Sequence, residues 1–185
     1  MDVKGSLFTL TNILEEEIKK NRKKISKNDL KNINDLLVIR SANMNLFFKF
    51  LNEVNNINPN MKLHIVAHKG ESSTILDNCK QNCNVLEYKY KGNYIKENFS
   101  EISNYAKEQQ IGNALILFND EIGLGYENVE EILQEMGFEN YFAFNCYGNW
   151  LCIKRSELAI KSVKLQNILH EWFWEYLLIL EEKEK

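Results

Sequence analysis

The chain has 185 residues, 44% of them apolar and 11% aromatic, and a formal net charge of −3. That length predicts one domain with a substantial core, and the acidic balance argues against a general nucleic-acid binder. No apolar stretch reaches the roughly 18–20 residues that span a membrane, and Met1-Asp2-Val3-Lys4-Gly5 lacks the basic end and apolar core of a signal peptide, so a cytoplasmic location is expected.

In chain order, Leu7, Leu10, Leu14 and Ile18 repeat at helical spacing, with Ile13 beside them. Seven Lys/Arg follow between Lys19 and Lys31. They read as the solvated end of a helix, where cations sit favourably; contact with an anionic membrane or a partner is the alternative. Ser26 and Asp29 have the spacing of a capping-box variant and predict a short second helix. Residues 1–34 are thus read as a helical extension.

Five short apolar runs come next, alternating with amphipathic stretches. They are Leu36-Leu37-Val38-Ile39, Leu63-His64-Ile65-Val66, Val85-Leu86-Glu87-Tyr88, Ala114-Leu115-Ile116-Leu117-Phe118 and Tyr141-Phe142-Ala143-Phe144. Between them, predicted helices bury Leu46, Phe47, Phe50, Leu51 and Val54, then cover 72–80, then bury Ile95, Phe99, Ile102 and Tyr105, then Val129, Ile132, Leu133 and Met136. Asn58-Pro59-Asn60 is a turn signal, and Gly137 fits a left-handed helix cap. After the fifth run, Tyr147-Gly148-Asn149 turns the chain into Trp150-Leu151-Cys152-Ile153, read as an antiparallel edge strand. The last stretch, 156–183, reads as one helix with Leu165, Ile168, Leu169, Trp172, Phe173, Tyr176, Ile179 and Leu180 on a stripe. Trp174 and Leu178 fall on its other side. A homodimer through that helix is one candidate assembly, and packing on the N-terminal helix is the other.

The alternation predicts an α/β fold: one doubly wound, mostly parallel Rossmann-like sheet over 35–154, covered by helices on both faces. Right-handed crossovers favour run order 3-2-1-4-5, with the antiparallel strand at the edge beyond the fifth. Such sheets hold ligands at the carboxyl ends of their strands, at the switch point, here between the first and fourth runs. Two polar loops flank that point, 40–45 and 119–126. The ligand-binding candidates are therefore Asn43, Asn45, Asn119, Asp120 and Tyr126 lining one cleft, with Ser41 and His68 near its rim. Helix capping is the plainer role for Asn43, and for Asn128, which has Glu131 at box spacing. His68-Lys69 suits a phosphate or carboxylate, or is an ordinary solvated loop. His64 reads as a hydrogen-bonded core histidine.

Several chemistries are excluded at the level of motifs. Gly123-x-Gly125 lacks the third glycine of a dinucleotide fingerprint, which is Asn128, and it follows the wrong strand. A P-loop is absent from the sequence. Cys79, Cys83, Cys146 and Cys152 have the wrong spacing for a zinc ribbon and read as buried free thiols. No cofactor and no metal are expected, and no catalytic residue emerges.

Residues 34–145 resemble the N-terminal, acceptor-side half of GT-B glycosyltransferases of the ADP-heptose:lipopolysaccharide heptosyltransferase type. The likeness rests on Leu36-Leu37-Val38-Ile39-Arg40-Ser41 opening straight into a helix, on 61–69 after a proline turn, and on 113–120 as the fourth strand. It departs from the family where Met44-Asn45 stands at the place of the short Gly-Asp step, so the acidic base candidate is missing. The second Rossmann domain, which holds the family's sugar nucleotide, is replaced by a helix. The resemblance implies a partial or degenerate glycosyltransferase-like domain that binds a sugar or sugar phosphate in surface-glycan or glycoprotein assembly. The alternative is a non-catalytic module that dimerises or docks through its terminal helices.

Overall fold

The computed structural model describes residues 16, 18–20 and 22–157. Its strands are β1 (Arg22–Lys24), β2 (Asp35–Ile39), β3 (Lys62–His68), β4 (Cys83–Tyr88), β5 (Asn113–Phe118), β6 (Asn140–Asn145) and β7 (Trp150–Ile153). Its α-helices are α1 (Met44–Ile57), α2 (Ser72–Asn78), α3 (Ser100–Glu108) and α4 (Glu127–Met136). The strands form one sheet in the order β1-β7-β6-β5-β2-β3-β4. Strands β2 to β6 pair in parallel, whereas β6–β7 and β7–β1 pair antiparallel. The fold is α/β with a mostly parallel, Rossmann-like sheet. Among the described residues no helix is long and apolar enough to cross a membrane.

The central strands are apolar on both sides because both sides are covered. Leu36 and Val38 of β2, with Leu115 and Leu117 of β5, meet Phe47, Phe50, Leu51 and Val54 of α1 and Ile75 of α2. Leu37 and Ile39, with Ala114, Ile116 and Phe118, meet Ile102 and Ala106 of α3 and Val129, Ile132 and Leu133 of α4. Each fully buried side chain of this kind contributes about 1.5–3 kcal/mol by leaving water. At the end of α4, Gly137 adopts φ 76° and ψ 46°, and its N–H donates to Leu133 O. A left-handed cap of this kind favours glycine, which has no Cβ to clash.

The N-terminal segment departs from expectation. Ile18, Lys19 and Lys20 are helical, but the basic run then extends into β1 instead of ending a helix. Arg22, Lys23 and Lys24 register against Ile153, Cys152 and Leu151, so β7 is not the sheet edge. Arg22 is the inward residue of this strand: its side chain is buried, while Lys23 and Lys24 stay exposed. The second predicted helix is a series of turns. Asp29 N bonds Ser26 O, Leu30 N bonds Lys27 O, and Lys31 N bonds Asn28 O, three-residue steps with no α-helical turn. Buried Leu30 and Ile33 pin this segment to the core.

Ile95 precedes α3 and is 49% exposed, so it is not part of a buried helix face. Cys79 and Cys83 are joined as a disulfide, their Cα atoms 6.6 Å apart across the return from α2 into β4, within the span a disulfide tolerates. Only Cys146 and Cys152 are free, both half-buried. The stripes from Leu7 to Leu14 and from Leu165 to Leu180, with the dimer expected through the latter, lie outside the described residues.

Candidate functional site

The chain runs from β2 outward through β3 to β4, then crosses back to lay β5 on the other side of β2. The switch point therefore lies between β2 and β5, and the loops leaving their carboxyl ends part there. Ser41 ties the two strands together, its hydroxyl donating to Leu117 O at 2.8 Å.

A cleft of about 330 Å³ opens at this edge, within the range of small-molecule sites. Arg40 and Ser41 come from the end of β2 and His68 from the end of β3. Gly92, Asn93 and Tyr94 come from the loop after β4, and Gly125, Tyr126, Asn128 and Val129 from the entry to α4. Arg40 is held rigidly: Nη2 pairs with the Glu71 carboxylate at 2.6 Å, and Nη1 donates to Ala42 O at 2.9 Å. The Glu71 carboxylate also accepts from His68 N. The His68 ring stacks on Tyr94, centroids 4.7 Å apart, and its Nδ1 lies 3.2 Å from Tyr90 O. Tyr94 is buried, and its hydroxyl donates to Arg40 O. Burial pushes the Tyr94 phenol well above its ordinary pKa, so it keeps its proton. Burial also raises Tyr126, whose hydroxyl accepts from Asn119 N at 3.0 Å and thus retains its own proton for donation.

The predicted site residues divide into two groups. Ser41, His68 and Tyr126 line the cleft. Asn43, Asn45, Asn119 and Asp120 do not, and the reasons are local. Asn43 caps α1, its side chain accepting from Leu46 N at 3.0 Å. Its own N–H and Nδ2 donate to Asn119 Oδ1, so this pair clasps the two loops. Asp120 folds back on its own loop and accepts from Ile122 N and Gly123 N. Asn45 sits exposed on α1.

Asn128, unlike Asn43, is not a cap. The cap of α4 is Tyr126, and Asn128 Nδ2 reaches across to Tyr94 O at 2.8 Å, which places it in the cleft wall. Sequence reasoning missed Arg40, Asn128 and the whole 92–94 segment. Arg40 was legible as the residue leaving the central strand. The loop after β4 gave no signal, because its strand lies two places from the switch point.

His64 is distant from this chemistry. Its Nδ1 accepts from Tyr105 Oη at 2.8 Å and its Nε2 faces Asp35 Oδ1 at 3.2 Å. Asn84 Nδ2 donates to the same hydroxyl. Every polar atom of the ring has a partner, as a core histidine requires. Among the described residues no group of three or more His, Cys, Asp or Glu is placed to hold a metal ion. A hollow of about 410 Å³ between α3 and α4, lined by Phe99, Ser103, Ile132 and Met136 and bridged by Lys96 and Glu135, lies away from the switch point and contains none of the predicted residues.

Comparison with family models, with curated proteins and with solved structures returns no match.

Proposed function

We propose that this is a sugar- or sugar-phosphate-binding domain of glycosyltransferase-like descent, acting in surface-glycan or glycoprotein assembly. One observation carries the reading: the switch-point cleft gathers Ser41, His68, Tyr126 and Asn128 from three loops around about 330 Å³. Polar groups converging in a small concavity at this edge fit a polyhydroxylated ligand. The direct passage of β2 through Arg40-Ser41 into α1 is in keeping with the acceptor half of a GT-B enzyme.

Binding is proposed rather than transfer. Glu71 is paired with Arg40, and Asp120 is held by backbone N–H groups of its own loop. Neither carboxylate is among the residues lining the cleft, and a general base must reach the proton it removes.

The test is a titration of isotope-labelled protein with a panel of hexoses and hexose phosphates, followed by amide shifts. The expected result is perturbation at Ser41, Tyr94, Tyr126 and Asn128, with a rise in melting temperature; a ligand at a hundred times its Kd adds about 2.7 kcal/mol. Shifts confined to the α3–α4 hollow, or none at all, overturn the reading.

A further inference from the structure

We infer that the free edge of β4 pairs with β4 of a second copy of this chain, antiparallel about a two-fold axis at Val85, so that two seven-stranded sheets join into one.

The two edges of the sheet differ. Among the described residues β1 pairs only with β7, and β4 only with β3. Strand β1 has three residues and exposes Lys23 and Lys24, the kind of short, charged edge that discourages pairing. Strand β4 has six residues, Cys83 to Tyr88, with no lysine and no proline among them. Its register on β3 runs unbroken from Cys83 to Tyr88, so no bulge turns it away from a partner.

Successive strand residues turn their backbone N–H and C=O groups to opposite edges. Asn82 O accepts from Leu63 N, and Tyr88 O from Lys69 N, which turns Asn84 and Leu86 toward β3 as well. Cys83, Val85 and Glu87 therefore carry their groups on the outer edge, and among the described residues nothing bonds them. The edge is open: Cys83 to Leu86 are half-buried and Glu87 is exposed. A two-fold axis at Val85 satisfies the whole row. Val85 bonds Val85 of the other copy in both directions, and Cys83 and Glu87 bond each other across the axis, all as hydrogen-bonded antiparallel pairs.

Charge complementarity makes the occupant a second copy. In this register Glu87 meets Cys83 of the other copy. Cys79 lies 6.6 Å from Cys83, Cα to Cα, so Lys80 stands beside that position. Lys80 is exposed and has no ion pair among the described residues. One Glu87 oxygen accepts from Ser72 Oγ, and the other is left to meet Lys80. Symmetry makes the contact twice, and it holds the two Glu87 residues about 13 Å apart along the paired edge. Val85 faces Val85, a favourable β-branched cross-strand pair. Apolar surface is also present to leave water: Leu76, on the helix α2 that packs on β4, is 50% exposed.

The deciding experiment is sedimentation velocity of the full chain from about 10 µM to about 500 µM, the range of small, weak interfaces. The sedimentation coefficient is expected to rise toward that of a dimer. Amide exchange at Cys83, Val85 and Glu87 is expected to slow only in the concentrated sample. Val85→Pro removes an outward N–H and no bond to β3, a place where a strand tolerates proline; it is expected to stay monomeric throughout, with an unchanged circular dichroism spectrum. Lys80→Glu is expected to weaken association about threefold or more, and adding Glu87→Lys to restore it. These charge variants decide the matter even if Val85→Pro does not fold. A wild-type chain that stays monomeric across the range overturns the inference, and this is the outcome if the edge takes a peptide of another protein instead. Association that survives Val85→Pro, or that ignores the charge changes, overturns it too and places the dimer elsewhere on the chain.

Discussion

Arg22 Nη2 donates to Glu130 Oε1 at 2.5 Å, with the two side chains only 3% and 0% exposed. The same guanidinium lies over the Phe118 ring, 4.7 Å from its centre. The pair fastens β1 to α4 beneath the loop that leads to the cleft. Removing the guanidinium breaks this buried ion pair, and breaking such a pair from one side costs about 3–5 kcal/mol. Arg22→Met is expected to show that loss as a lowered urea midpoint with an unchanged slope, and Lys23→Met, on the exposed side of the same strand, to change little.

A pH dependence follows from His64. Burial is the largest influence and holds its pKa below the ordinary value; the Asp35 hydrogen bond opposes it. The folded state therefore binds its proton less readily than the unfolded chain does. The stability this contributes is fully present above the unfolded pKa of about 6.5 and is lost as pH falls from there toward the folded value. Urea midpoints measured between neutral and mildly acidic pH should fall, and His64→Leu should flatten that dependence. Stability that does not change across this window would contradict the prediction.

Gly123 has φ +75°, and a Cβ there would lie 2.5 Å from Phe118 Cε1 and Cζ. Gly123→Ala is expected to cost about 1–3 kcal/mol through overpacking, in addition to the left-handed backbone, about 1–2 kcal/mol. Gly125 has φ +80° but open space around it, so Gly125→Ala should incur the backbone cost alone. Comparing the two melting temperatures separates crowding from conformation.

The Asn43–Asn119 clasp predicts non-additivity. Asn43→Ala removes a helix cap, worth about 1 kcal/mol, and Asn119→Ala removes the acceptor of both Asn43 donors. The double variant should lose less than the sum of the two, by about 0.5 kcal/mol or more. Strict additivity in denaturant unfolding would show that the clasp carries no energy.

The α/β class was legible because the strands are short, apolar on both faces and separated by amphipathic stretches; Leu36 to Ile39 and Ala114 to Phe118 stand out on hydrophobicity alone. Strand β1 was not. Three basic residues carry no apolar signal, and Arg22 belongs inside only because Glu130 is there to receive it. In the site, Ser41, His68 and Tyr126 were legible from their places after strands. Asn43, Asn119 and Asp120 looked available because sequence shows which side chains can bond a ligand. It does not show which have already bonded the backbone. Exposed Gly92 and Asn93 and buried Tyr94 entered the cleft through the length of a loop, a property without a residue signature.

Arg22 and Glu130 stand 108 positions apart, and among the described residues β1 pairs only with β7. The earliest strand among the described residues thus pairs with the latest. Its partner's edge exists only after Trp150 to Ile153 have folded back on β6. A chain ending before Trp150 would lack β7 and with it the pairing partner of β1, so Arg22 would have no strand to hold it over Glu130. Completion of the sheet is in this sense conditional: β1 has a seat only where β7 has already folded back on β6.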